Sequence, residues 1–141
     1  MECDNSKGCY HITFLKREGE CTNWFVDKLK QLGVFNNKHI PNCYKFNDTE
    51  TRLKILAGLI DSDGSYNSEK HTVEITQFEG HKSIIDDTLF ICRSLGLKVT
   101  LSTRVSKQRV LDEKIIKGNV LQYRIRILYG HSQIPTLIPR K

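Results

Sequence analysis

The stretch that most restricts the fold runs from Leu53 to Gly64. Leu53, Leu56, Ala57 and Ile60 recur at i, i+3, i+4 and i+7, the single apolar stripe of a helix packed on a core. Asn47, with Glu50 three residues on, reads as its capping box. The stripe runs straight into Asp61-Ser62-Asp63-Gly64, where the helix is expected to end with Gly64 as a left-handed residue. Two features of this helix are unfavourable by themselves. Its carboxylates sit at the negative end of the helix dipole, at about 0.3–1 kcal/mol each. Gly58, in mid-helix, costs about 1 kcal/mol relative to alanine. A divalent cation relieves the first conflict, because the Asp63 carboxylate and the free carbonyl of Ser62 are hard oxygen donors suited to Mg²⁺. A second helix approaching closely at Ala57 and Gly58 accounts for the other. Two such helices, crossed at their small residues, bring two Asp63-type carboxylates together, where paired ions can serve both sides of a phosphodiester. An EF-hand loop counted from Asp61 does not fit, since its sixth position is Tyr66 and its twelfth is Thr72.

The pattern around this helix predicts an α+β chain. Residues 10–16 read as a short strand, Thr22-Asn23 as a cap, and Phe25, Leu29 and Leu32 as a helical face stopped by Gly33. Residues 35–46, with Asn36-Asn37, Pro41 and Asn42, read as a connection. Beyond Gly64, Ser65-Tyr66 and His71–Phe78 form a predicted hairpin, with apolar and polar residues alternating from Thr72 to Thr76. A third helix is expected from Ser83, as cap, to Leu95, with Gly96 as stop. Leu97, Val99 and Leu101 alternate with polar residues, and so do Tyr123, Ile125 and Ile127, which gives a second hairpin with a long basic loop. The order from Asn47 is thus α-β-β-α-β-β. The domain layout reads as an N-terminal strand and helix over 1–35, a linker over 36–46 and a main domain over 47–141.

Charge bears on the partner. From Arg93 to Lys141 there are eleven Lys and Arg against two acids, a balance of +9. The first 92 residues hold eleven against fourteen, or −3, which together give the net +6. A basic half points to a polyanion, most simply nucleic acid. If the apolar side of the four strands packs on helices, the other side carries Thr72, Glu74, Thr76, Lys98, Thr100, Ser102, Arg104, Gln122, Arg124 and Arg126. A twisted ribbon with such side chains fits the major groove of duplex DNA, where arginine takes guanine edges and threonine meets thymine methyls. No apolar run reaches the roughly 18 residues of a membrane span, and Met1 to Tyr10 lacks a signal-peptide core. Five cysteines, an odd number without a C-x-x-C, read as reduced intracellular thiols. Cys3, Cys9, His11 and Cys21 are a conceivable zinc set, but their spacing fits no standard finger.

The segment Leu56–Gly64 resembles the LAGLIDADG motif of homing endonucleases at every position except Ser62, where the motif has alanine. Asn37-Lys38-His39-Ile40-Pro41, Arg93-Ser94-Leu95-Gly96 and Ile134-Pro135-Thr136 with Arg140-Lys141 are similar to the endonuclease domains found inside inteins. The resemblance covers 36–141, and 10–35 looks like the end of a preceding repeat. It implies a homing-endonuclease-like αββαββ(α) fold in which a four-stranded antiparallel sheet binds DNA and the motif helices form a central interface. It implies Asp63 and the Ser62 carbonyl as metal ligands and Gln77 as a residue ordering water near the metal. Lys141, or a residue beyond it, is implied beside the scissile phosphate. Asp61 is expected to be structural. The implied cofactor is Mg²⁺ and the implied reaction is phosphodiester hydrolysis of double-stranded DNA.

The motif occurs once. Single-motif members of that family act as homodimers, so the expected partner is a second copy or a missing repeat meeting Ala57 and Gly58. Residues for self-splicing are absent, and none is expected. The competing expectation is a relic or intein fragment whose basic sheet binds DNA without cutting it.

Overall fold

The computed structural model describes residues 23–106 and 118–138 with their side chains, and the backbone alone of 2–4, 9–11, 109–111 and 114–116. The chain divides into two units, Met1–Asn37 and Lys38–Lys141.

In the first unit, strands β1 (Glu2–Asp4) and β2 (Cys9–His11) pair antiparallel. Helix α1 spans Trp24–Gln31. The Asn23 side chain caps it by accepting from the Phe25 amide, and Gly33 takes the left-handed conformation after it, both as the sequence suggests.

The second unit begins within the stretch expected to be a connection. That stretch folds into a short helix, α2 (Asn42–Lys45), and buries Ile40 in the core. Asp87 holds it there, accepting from the Ile40 amide at 2.9 Å and from Lys45 Nζ at 2.6 Å.

Helix α3 spans Thr49–Asp63. Its cap is Asp48 and not Asn47. The Asp48 carboxylate accepts from the Thr51 amide and hydroxyl, whereas the Asn47 amide turns back to donate to the Cys43 carbonyl. Those contacts, the Thr51 amide first, lower the Asp48 carboxyl below its ordinary value. The helix runs through both motif acids before turning into β3 (Gly64–Asn67). Gly64 is extended, at φ −86°, and not left-handed. What it supplies is room, because a Cβ there would lie 2.6 Å from the Ile60 carbonyl oxygen.

Strand β4 (Thr72–Phe78) returns beside β3, and a single tight turn over Glu79–His81 feeds α4 (Lys82–Ser94) directly. That turn is why Ser83 is no cap: the helix is already under way at Lys82. Gly96, at φ +73°, closes α4 as expected. Strands β5 (Lys98–Val105) and β8 (Leu121–Tyr129) form the second hairpin, with the small pair β6 (Arg109–Leu111) and β7 (Lys114–Ile116) between them. The main sheet is antiparallel in the order β3-β4-β8-β5. The fold is α+β, with α3 and α4 covering one face of that sheet.

The core is the meeting of those layers. Leu56, Ala57 and Ile60 from α3 join Ile85, Leu89, Ile91 and Cys92 from α4 and Val73, Ile75, Ile125 and Ile127 from the inner strands. Ile40, Leu97 and Ile134 close its edges. Burying each such aliphatic side chain contributes roughly 1.5–3 kcal/mol. Arg52 Nη1 donates to Ser94 Oγ at 2.6 Å and ties the two helices.

Candidate nucleic-acid interface and acidic turn

The register of the sheet puts its polar residues in rows. Glu74 lies opposite Arg126, which lies opposite Thr100. Thr76, Arg124 and Ser102 form the next row, and Gln122 and Arg104 pair beyond it. The alternation in the sequence thus assembles nearly the whole expected face. Openness differs by strand. Lys98, Thr100, Ser102 and Arg104 on the edge strand β5 are exposed, whereas Thr76, Arg124 and Arg126 on the inner strands are half-buried. Thr72 and Gln122, expected to be open, are buried instead. They sit on β4 and β8, which have neighbours on both sides, and the Gln122 carbonyl accepts from Arg104 Nε at 2.8 Å. The Thr72 hydroxyl is buried with no hydrogen-bond partner among the described residues.

At the end of α3 the two acids have different tasks. Asp61 binds backbone: its carboxylate accepts from the Leu137 amide at 2.8 Å and the Ile138 amide at 3.3 Å. This fastens the segment after Ile134 to the end of the motif helix. Asp63 is exposed, and one of its oxygens accepts from Gln77 Nε2 at 2.7 Å. The two residues lie fourteen apart in sequence and meet because β4 runs back beside β3 to the end of α3. The same amide leaves Gln77 Oε1 to accept a hydrogen bond from elsewhere. Ser62 is also exposed, its hydroxyl turned to the Leu59 carbonyl at 3.3 Å. Its own carbonyl belongs to the last turn, where no intrahelical donor is available.

These donors suit a hard cation of low protein coordination. Magnesium keeps most of its waters and takes one or two carboxylates plus substrate oxygens. Asp63 is such a carboxylate, and Asp61 is already committed to backbone amides. No group of three or more His, Cys, Asp or Glu side chains placed to hold a metal ion exists among the described residues.

Among the described residues Gly58 has open space beside it on α3, where an added Cβ would meet nothing within 4 Å. Ala57 is different, since it is buried in the chain's own core. Lys141 lies outside the described residues, as do the side chains of Cys3, Cys9, His11 and Cys21. No helix among the described residues is long and apolar enough to cross a membrane.

The sequence reading missed two anchors, Asp87 and the hub formed by Glu74. Glu74 Oε1 accepts from Arg126 Nε at 2.6 Å, and Oε2 lies 3.3 Å from Arg124 Nη1. Register alone signals the Glu74–Arg126 pair once the strands are aligned. Nothing in local sequence signals Asp87, whose partners lie more than forty residues away.

The chain is similar in sequence to known proteins. The homothallic switching endonuclease of Saccharomyces cerevisiae is 32% identical over 124 residues, covering 74% of this chain and 21% of that protein. The chain thus spans about a fifth of the length of that relative. A family model described as homing endonuclease matches residues 39–130, which takes in α2, α3, α4 and the whole four-stranded sheet. On that match, which covers the acidic turn, Gln77 and every residue of the polar sheet face, the chain belongs to the homing endonuclease family.

Proposed function

We propose that this chain is one half of a site-specific, metal-dependent endonuclease of the LAGLIDADG type, hydrolysing phosphodiester bonds of double-stranded DNA. The observation that carries the proposal is the 2.7 Å contact between Gln77 and Asp63 at the end of α3, beside a sheet whose open face is basic.

In this reading the sheet face seats the duplex and brings a phosphate to the acidic turn. Asp63 and the Ser62 carbonyl would hold Mg²⁺, which when bound supplies Lewis-acid stabilisation of the phosphate and a water of lowered pKa. Gln77 fixes the Asp63 carboxylate through its amide N–H and leaves Oε1 to orient a water. Lys141 would stabilise charge that develops on the phosphate. The Asp61 grip on Leu137 and Ile138 keeps the chain leading toward Lys141 near the motif helix.

Cutting both strands takes a second half, either another copy or the missing repeat of an intein-like protein. The open surface at Gly58 supports this, because a second helix can approach there to backbone distance.

The test is a cleavage assay on a plasmid library in Mg²⁺, with duplex binding measured in parallel. Asp63→Asn should abolish cleavage and leave binding intact. A mutant that still cuts contradicts the role of Asp63. A wild-type protein that binds DNA with salt sensitivity but yields no metal-dependent product supports the non-cutting relic instead.

A further inference from the structure

The sheet face proposed to meet DNA contains one side chain of the wrong sign. Glu74 is only 14% exposed and lies in the middle of the face, opposite Arg126. A carboxylate facing a polyanion opposes binding unless it does something there. Its two oxygens are divided between two arginines. Oε1 takes the Nε–H of Arg126, its direct cross-strand partner, at 2.6 Å. Oε2 lies 3.3 Å from Nη1 of Arg124, its diagonal neighbour on the same face. Both arginines are partly enclosed, at 22% and 34% exposure for Arg124 and Arg126.

Each guanidinium carries five N–H donors. The bond to Glu74 uses the Nε–H of Arg126 and leaves its two terminal nitrogens for an outside acceptor. Arg124 is less satisfied still, because its Nε is buried with no acceptor among the described residues. Pinning these side chains removes rotamer freedom before a ligand arrives, so less is lost on binding. It also withholds them from nonspecific phosphate contacts. A pinned guanidinium presenting two parallel N–H groups matches the O6 and N7 acceptors of guanine in the major groove.

We infer that Glu74 is a positioning residue that holds Arg124 and Arg126 as guanine readers, exchanging nonspecific affinity for sequence discrimination. The inference rests on the reading of this face as the duplex-binding surface. It is distinct from a role in which Glu74 only screens two like charges, since that role predicts no effect on base choice.

The experiment first selects duplexes bound by the wild-type protein from a pool with a randomised central segment. A selected duplex is then prepared with guanine and with 7-deazaguanine, which lacks the N7 acceptor. The wild-type protein should bind the 7-deazaguanine duplex roughly five- to a hundredfold less tightly. Glu74→Gln should lose most of that ratio and gain a steeper salt dependence of binding, by about one unit of log–log slope per arginine released to phosphate. Arg126→Lys keeps the charge but not the fork. It should lose the share of the ratio that Arg126 supplies, and adding Glu74→Gln to it should remove most of what Arg124 still supplies.

A folded Glu74→Gln protein with the wild-type ratio overturns the inference, as does an Arg126→Lys protein with that ratio if Glu74→Gln fails to fold. Wild-type binding indifferent to 7-deazaguanine overturns it as well, while duplex binding itself still stands. No salt-dependent duplex binding by the wild type removes the underlying reading and the inference with it.

Discussion

Asp61 and Asp63 are two residues apart, equal in charge, and differ in every contact. Asp61 takes backbone amides from the C-terminal segment, and Asp63 takes one amide N–H from Gln77. The motif in the sequence singles out both, and the structure separates the fastening acid from the open one. Gln77 touches Asp63, so in the proposed function it acts on the metal through that carboxylate. Gln77→Ala should therefore lower the cleavage rate by roughly 10–100-fold without abolishing it, as other outer-shell losses do. Cleavage-rate measurements at saturating Mg²⁺ check this, and an unchanged rate would deny Gln77 a role. The cysteines offer a second check at this scale. Cys92 is fully buried, and burial pushes its thiol up to about 12, whereas Cys43 is exposed. At pH 8 a thiol reagent should label Cys43 in the folded protein and reach Cys92 only after unfolding, which peptide mapping by mass spectrometry would show.

At the scale of elements, α3 makes the strongest contrast. The sequence singled out Gly58 for a close helix approach and Gly64, just past the helix, as a left-handed stop, and the structure changes the second reason. Gly64 leaves room for a backbone carbonyl, so Gly64→Ala must displace the chain where α3 meets β3, at about 1–3 kcal/mol, as for other overpacked sites. Gly58 meets nothing among the described residues, so Gly58→Ala should stabilise the isolated chain by about 1 kcal/mol. If a second helix packs there, the same change weakens that assembly. Urea denaturation of both variants, with sedimentation of the second, checks the pair. The periodicity made α3, α4 and the hairpin strands legible because burial on one face imposes it. The caps were less legible. Asp48 rather than Asn47 caps α3 because it reaches both donors of Thr51, a choice that spacing alone does not decide. Ser83 lost its expected role to a preceding turn that depends on how β4 ends.

For the whole molecule, strand alternation foretold a polar face, and the antiparallel register collects it. What alternation could not show is that the inner strands bury Thr72 and Gln122 and that Glu74 binds two arginines. Those facts follow from strand order, β3-β4-β8-β5, which places strands distant in sequence side by side. The β3–β4 hairpin in turn brings Gln77 to Asp63, a proximity that the family resemblance implied and spacing did not. Among the described residues the acidic turn holds one open carboxylate, Asp63, which the proposed function makes one half of a cleavage centre.

That claim is tested most directly by following a supercoiled plasmid carrying a selected target, in Mg²⁺, as the concentration of the protein is raised. With another copy as the second half, the account predicts that linear DNA forms at a rate rising with the square of protein concentration, below the concentration at which copies pair, and that Asp63→Asn or chelation removes it. Linear product at a rate first order in protein in that range, or surviving either treatment, would contradict a half-centre built on Asp63.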